Sequence, residues 1–129
     1  MSQENVEIVR SSQEYYTEHG DFAWELMSPQ IEIHDHDLPD VPVYRGHAGL
    51  REWTAHWASA WQSWEMEAPE YVDAGERVVM LFTMRTTGRG SGVPLERKDA
   101  IVFRLASRRM TQIDYYNSHE EALKAVGVQ

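Results

Sequence analysis

Cysteine is missing altogether, which removes disulfides, thiolate metal sites and a cysteine nucleophile together. Basic residues are scarce: 12 Lys and Arg stand against 21 Asp and Glu, for a net charge of −9. Their only adjacent pairs are Arg97-Lys98 and Arg108-Arg109. Nucleic-acid binding needs a concentrated basic footprint, so no nucleic-acid partner is expected. No run approaches the roughly 18 apolar residues of a membrane span, and the first ten residues hold no signal-peptide core. No membrane partner is expected, and the cytoplasm is the expected location. Proline and glycine number only 5 and 8. No linker or repeat breaks the 129 residues, so one domain spanning 1–129 is expected.

Aromatic residues, by contrast, are plentiful. Five Trp and six Tyr are many for this length, and such large flat surfaces must be packed or offered to a ligand. Val6, Ile8, Val9, Ser12, Gln13, Tyr15 and Tyr16 follow helical spacing after a possible N-cap at Ser2, and Gly20 ends that helix. Asp21 is positioned to cap a short second helix carrying Trp24, Leu26 and Met27, stopped by Pro29. Ile31, Ile33 and Asp35 alternate with Glu32, His34 and His36, as in a strand. A loop over residues 37–46 is punctuated by Pro39, Pro42 and Gly46.

The spacing of Leu50, Trp53, Trp57, Trp61 and Trp64 predicts one helix from His47 to Ser63 or so, with the tryptophans on one face. Trp53 and Trp57 are expected to line a cavity, and Trp61 and Trp64 to be buried. Four antiparallel strands then follow, over 65–72, 77–87, 93–105 and 110–117, joined by short turns. Ser118 with Glu121 reads as a capping box opening a last helix that ends near Gly127. Helices followed by a meander make an α+β layer fold.

That order and several phrases resemble the SnoaL-like branch of the NTF2-like superfamily. The phrases are Asn5-Val6-Glu7-Ile8-Val9-Arg10, Gly20-Asp21, Val43-Tyr44-Arg45-Gly46, Asp73-Ala74-Gly75-Glu76-Arg77, Gly88-Arg89-Gly90-Ser91-Gly92 and Glu120-Glu121-Ala122-Leu123-Lys124-Ala125. The resemblance implies an α+β cone: a curved antiparallel sheet around a long helix, with two further N-terminal helices, a pocket, and commonly a homodimer through the outer sheet face. Similar cones include steroid isomerases, polyketide cyclases, dehydratases, epoxide hydrolases and binders without chemistry, so the fold alone names no activity.

Three acids are candidates for chemistry. Asp35 shares the parity of Ile31 and Ile33; a carboxylate in an apolar cavity has its charged form disfavoured, which suits proton transfer. It also lies where ketosteroid isomerases, which the chain resembles in outline, place their base. The structural alternative is an Asp that caps a turn. Asp114, in Ile113-Asp114-Tyr115-Tyr116-Asn117, is similar in setting to the base of limonene epoxide hydrolases, against an outward Asp on a sheet face. Asp99 shares parity with Ile101, Phe103 and Arg97, and an Arg97–Asp99 pair at the pocket mouth competes with a solvated salt bridge. The isomerase pattern has a second acid where this chain has Ile101. The Arg-x-Asp pair of the hydrolases is absent between Val78 and Arg85.

The expectation is a small apolar or aromatic ligand, with Asp35 or Asp114 as base and Tyr16, Tyr44 or Tyr116 as hydrogen-bond donor. Trp53, Trp57, Tyr44, Asp99, Ile101 and Tyr116 would bind the substrate, and no cofactor is implied. A non-catalytic binding or dimerisation module is the alternative; two acids converging on the cavity would favour the enzyme, one or none the binder. His34, His36 and Glu32 share a strand face but lack a supporting ligand motif, and no metal is expected. The Gly88–Gly92 loop precedes no helix, so it is a hairpin tip and not a dinucleotide loop.

Overall fold

A computed structural model of the chain describes residues 2–38, 40, 42–67 and 69–128. Helix α1 is Ser2–His19, and Val6, Ile8, Val9 and Ser12 are its buried positions. It stops at Gly20, whose φ of 69° suits a residue without Cβ. The side chain of Ser2 and Pro39 of the expected loop lie outside the described residues. The second helix is one 3-10 turn, Trp24–Leu26, and Met27 already begins strand β1, Met27–Asp35. Pro29 therefore does not end a helix. It sits exposed within the strand, across the register shift between Met27 and Glu32, where a missing N–H is tolerated.

Strand β2, Tyr44–Arg45, leads directly into helix α2, Gly46–Ser59. Gly46 makes that corner at φ 72°, and a Cβ there would lie 3.2 Å from the carbonyl oxygen of Pro29. The Trp-rich helix is shorter than its periodicity predicts. Arg89, from the glycine-rich hairpin, donates to the carbonyls of Ser59 and Trp61 at 3.1 and 3.0 Å, and its backbone N–H to that of Ala60. The contacts to Ser59 and Ala60 take up free carbonyls at the helix end from outside, and the one to Trp61 holds the first residue beyond it. Trp61 and Trp64 consequently lie in strand β3, Trp61–Met66. Trp64 is 45% exposed, not buried.

The remaining strands are β4, Glu70–Ala74, β5, Arg77–Gly88, β6, Pro94–Ala106, and β7, Arg109–Tyr116. The single strand expected over 65–72 is thus two, β3 and β4, lying against opposite ends of β5. The sheet order is β2-β1-β7-β6-β5-β3, with β4 beside β5. The sheet is mixed where an antiparallel one was expected, because β1 runs parallel to β7. Residues Ser107 and Arg108, both at positive φ, turn β6 into β7, the backbone twist of a two-residue hairpin.

The curled sheet carries α1 and α2 on its inner face, where Ile31, Ile33, Leu50, Met80 and Met110 are fully buried. Helix α3, His119–Ala125, lies on the other side. The Ser118 hydroxyl accepts from the Glu121 N–H at 3.1 Å, as the capping box predicts. Ala122 packs with Val79, Ala100 and Val102, and Leu123 and Val126 join them. The apolar second face of β5 is therefore covered from within the chain. No helix among the described residues is long and apolar enough to cross a membrane.

Candidate functional site

A cavity of about 150 Å³ lies between α1, α2 and the inner face of the sheet. Helix α1 contributes Val9, Ser12, Gln13 and Tyr16; α2 contributes Trp53, Thr54 and Trp57. The sheet adds Trp64 and Met66 from β3, Met80, Phe82 and Met84 from β5, Ile101 and Phe103 from β6, and Ile113 and Tyr115 from β7. The rings stand steeply to one another: Trp57 and Trp64 at 85°, Phe82 and Tyr115 at 68°, Trp53 and Tyr115 at 64°. Among the described residues, no Asp, Glu, His, Lys or Arg lines it.

The polar groups at the wall are few and partly engaged. The Thr54 hydroxyl donates to the Leu50 carbonyl at 2.8 Å, and the Gln13 amide points to the Met66 sulfur at 3.5 Å. Burial, reinforced by the charge of Asp21, raises the Tyr16 pKa above its ordinary value. Tyr115 donates its hydroxyl to Asp99 Oδ2 at 2.5 Å. Its pKa is also raised, first by burial and then by the charge and hydrogen bond of Asp99.

Directly behind this wall lies a chain of charges. Asp99 is fully buried and accepts a second bond, from Arg97 Nε at 3.0 Å, while its Oδ1 has no hydrogen-bond partner among the described residues. Arg97 also reaches Asp37 Oδ2 at 2.5 Å and lies over the Trp61 ring. Burial works against the Arg97 charge, but its bonds to Asp37 and Asp99 outweigh burial and raise its pKa. Asp35, also buried, accepts from the Trp53 indole at 2.8 Å and from the Asp37 N–H at 3.0 Å. Asp35, Tyr115 and Ile101 stand side by side on adjacent strands.

A family model described as a SnoaL-like domain matches residues 13–113. The chain belongs to the SnoaL-like family. No match is found among curated proteins. Solved structures share its fold. An NTF2-like protein of unknown function from Burkholderia pseudomallei aligns at TM-score 0.73 and 21% identity over 97% of this chain and 98% of that one. A provisionally named SnoaL-like polyketide cyclase from Jannaschia aligns at 0.73 and 18%, over 98% and 94%. A provisionally named isomerase from Bacillus subtilis aligns at 0.71 and 17%, over 100% and 97%.

In this SnoaL-like domain the expected site residues divide. Trp53, Trp57, Ile101 and Tyr16 line the cavity together. Asp35 and Asp99 lie one side chain behind it, the first held by Trp53 and the second by Tyr115. The Arg97–Asp99 pair is not the solvated salt bridge weighed for it, since the Asp99 side chain has no exposure and that of Arg97 only 16%.

Tyr44 is buried elsewhere, with its hydroxyl 3.0 Å from His56 Nδ1. Asp114 and Tyr116 belong to the opposite sheet face. There Asp114 meets His36 at 2.8 Å and accepts from Gln112 at 2.8 Å, while Tyr116 stacks on His36 at 4.5 Å between ring centres. His34 sits beside Glu32 on the same face, at 3.1 Å. No cluster of three or more His, Asp or Glu among the described residues is arranged to hold a metal.

The lining residues that sequence reasoning missed include Tyr115, Trp64 and Ser12. Alternation should have marked Tyr115, but β7 carries an irregularity opposite Arg104 and Leu105. Met110 and Ile113, three apart, are both buried as a result, so simple period-2 counting from Met110 reaches Asp114 in place of Tyr115.

Proposed function

We propose that this SnoaL-like domain is a pocket protein for a small, flat, largely apolar molecule, and that its cavity binds the ligand without converting it. The observation that carries the reading is the wall itself: large rings and methionines, with no carboxylate or imidazole among the described lining residues. Of the side chains that commonly move protons, Tyr16 and Tyr115 are the ones at this wall, and burial raises both pKa values, which makes them weak acids. The volume supports a ligand of one or two rings, since a dry cavity near 150 Å³ accepts benzene. A panel of neutral aromatic compounds, read by thermal shift, should raise the melting temperature in a concentration-dependent way, as binding to the native state requires. No shift with any member, alongside an intact fold, would overturn the reading.

A second reading, a cofactor-free isomerase, cyclase, dehydratase or hydrolase, is favoured by one specific contact. Tyr115 lines the cavity while its hydroxyl is bound to buried Asp99, so one proton donor is held at the wall with a carboxylate behind it. Asp35 keeps acceptor capacity beside its bonds to Trp53 and the Asp37 N–H, but it lies behind the lining residues, so a wall side chain would have to move for it to act as a base. Under this reading Tyr115→Phe abolishes turnover of any substrate found and leaves affinity within a few-fold, whereas under the binding reading no turnover exists to lose.

A further inference from the structure

We infer that the cavity selects a ligand carrying a methylated ammonium group over its neutral isostere. The inference rests on the binding reading above and names the charge of the ligand. Two observations support it. Two of the rings at the wall are tied to carboxylates: the Trp53 indole N–H donates to Asp35 and the Tyr115 hydroxyl to Asp99. Such bonds push electron density into the ring, and the negative face of a ring is what attracts a cation. The charges behind the wall are also unbalanced. Asp37 and Asp99 share one guanidinium, Arg97, while the Asp35 carboxylate is held by two neutral N–H groups, of Asp37 and Trp53, and a surplus of negative charge beside an apolar space is weakly screened there.

Other candidate ligands fit less well. A bare ammonium or a carboxylate would lose strong hydration, and a wall made mostly of rings and methionines, with Ser12, Gln13, Tyr16 and Thr54 as its small polar complement, replaces that hydration incompletely. A carboxylate would in addition face Asp35 and Asp99. A trimethylammonium group holds its water loosely, presents methyl groups to Met80 and Phe82, and keeps a full charge for the rings. Trp57 and Trp64, nearly perpendicular at 5.5 Å between centres, supply two further aromatic surfaces.

The probes are choline and 3,3-dimethylbutan-1-ol, which have the same shape and differ by the charge. Titration calorimetry on the intact chain should show choline binding about tenfold more tightly or better, the scale of a desolvated cation–π contact. Asp35→Asn keeps an acceptor for Trp53 and removes one charge, so the preference should shrink several-fold. If that variant fails to fold, Asp37→Asn, nearer the surface, gives the same measurement. Equal affinity, or tighter binding of the alcohol, overturns the inference and leaves the binding reading standing. A cation preference unmoved by a folded carboxylate variant also overturns it. If neither these probes nor the neutral panel binds, the pocket reading itself has failed, and this inference with it.

Discussion

Asp99 has two carboxylate oxygens, and the protein uses one of them twice. Oδ2 takes both the Tyr115 hydroxyl and the Arg97 guanidinium, while the carboxylate is fully buried. Removing one partner of such a pair strands the other, so Asp99→Ala should cost about 3–5 kcal/mol in urea unfolding. A loss under about 1 kcal/mol would mean that the network contributes little. Tyr115 and Tyr16 give a second test. Burial raises both pKa values above 10.0, so above about pH 10 these residues ionise in the unfolded chain before they do in the native one. The native state then holds more protons, and stability must fall with rising pH, by up to about 1.4 kcal/mol per pH unit for each such group. This contribution is intact below pH 10 or so. Urea midpoints should drop between about pH 9 and about pH 11, while Tyr16 and Tyr115, followed residue by residue by NMR, stay protonated until unfolding. Normal titration of all six tyrosines in the folded protein would refute the argument. The parity of Asp35 and Asp99 was legible in the sequence, since strands β1 and β6 alternate simply through those positions. That Trp53 and Tyr115 stand between these acids and the cavity was not, because alternation gives a face and not a depth.

At the scale of elements, the caps were the most legible feature and the Trp helix the least. Ser118 caps α3 through the N–H of Glu121, so Ser118→Ala should cost about 1 kcal/mol, and Ser118→Asp nearly nothing. Equal losses in both variants would show that the bond is not what holds the helix end. Helix α2 misled because Trp53, Trp57, Trp61 and Trp64 keep helical spacing after the helix has ended. The periodicity is local, and the termination comes from Arg89, some 30 residues away in sequence. The outcome is functional as well as structural. As a strand residue Trp64 reaches the cavity while remaining 45% exposed. Trp64→Ala should therefore lower ligand affinity about tenfold while costing no more than roughly 1 kcal/mol of stability. Trp53→Ala, by contrast, should cost about 3–5 kcal/mol, as truncation of a buried aromatic does. Matching stability losses for the two would contradict their assignment as rim and core.

For the whole molecule, the outer sheet face expected to carry self-association is covered in part from within the chain. Both faces of β5 are apolar, which invites pairing through the outer face, yet α3 of the same chain covers Val79, Ala100 and Val102. The outer surface of β1 and β7 is polar instead, with the Glu32 side chain tied to Arg45 and His34, and Asp114 to His36. A homodimer remains our proposal, now seated on this β1–β7 strip. Light scattering at tens of micromolar protein should return twice the 15.0 kDa chain mass, and more salt should weaken the association because exposed charges are screened. A salt-independent monomer would rule it out.

The parallel pairing of β1 with β7 also sets an order of events. Ile33 meets Ile113 across 80 residues of sequence, and β1 lies between β2, which is only two residues long, and β7. Until β7 is available, one whole edge of β1 has no partner, and Tyr115, which closes the cavity, is missing. Long-range pairing of this kind is slow to form and leaves open edges while it waits. A chain stopped after β6, at residue 106, should therefore stay largely unfolded and prone to aggregate, even though it holds the two main helices and most of the pocket wall. Adding a peptide spanning residues 107–129 should restore cooperative unfolding. If the shorter chain instead melts cooperatively by itself, β7 is an addition to a finished fold and not the strand that completes it.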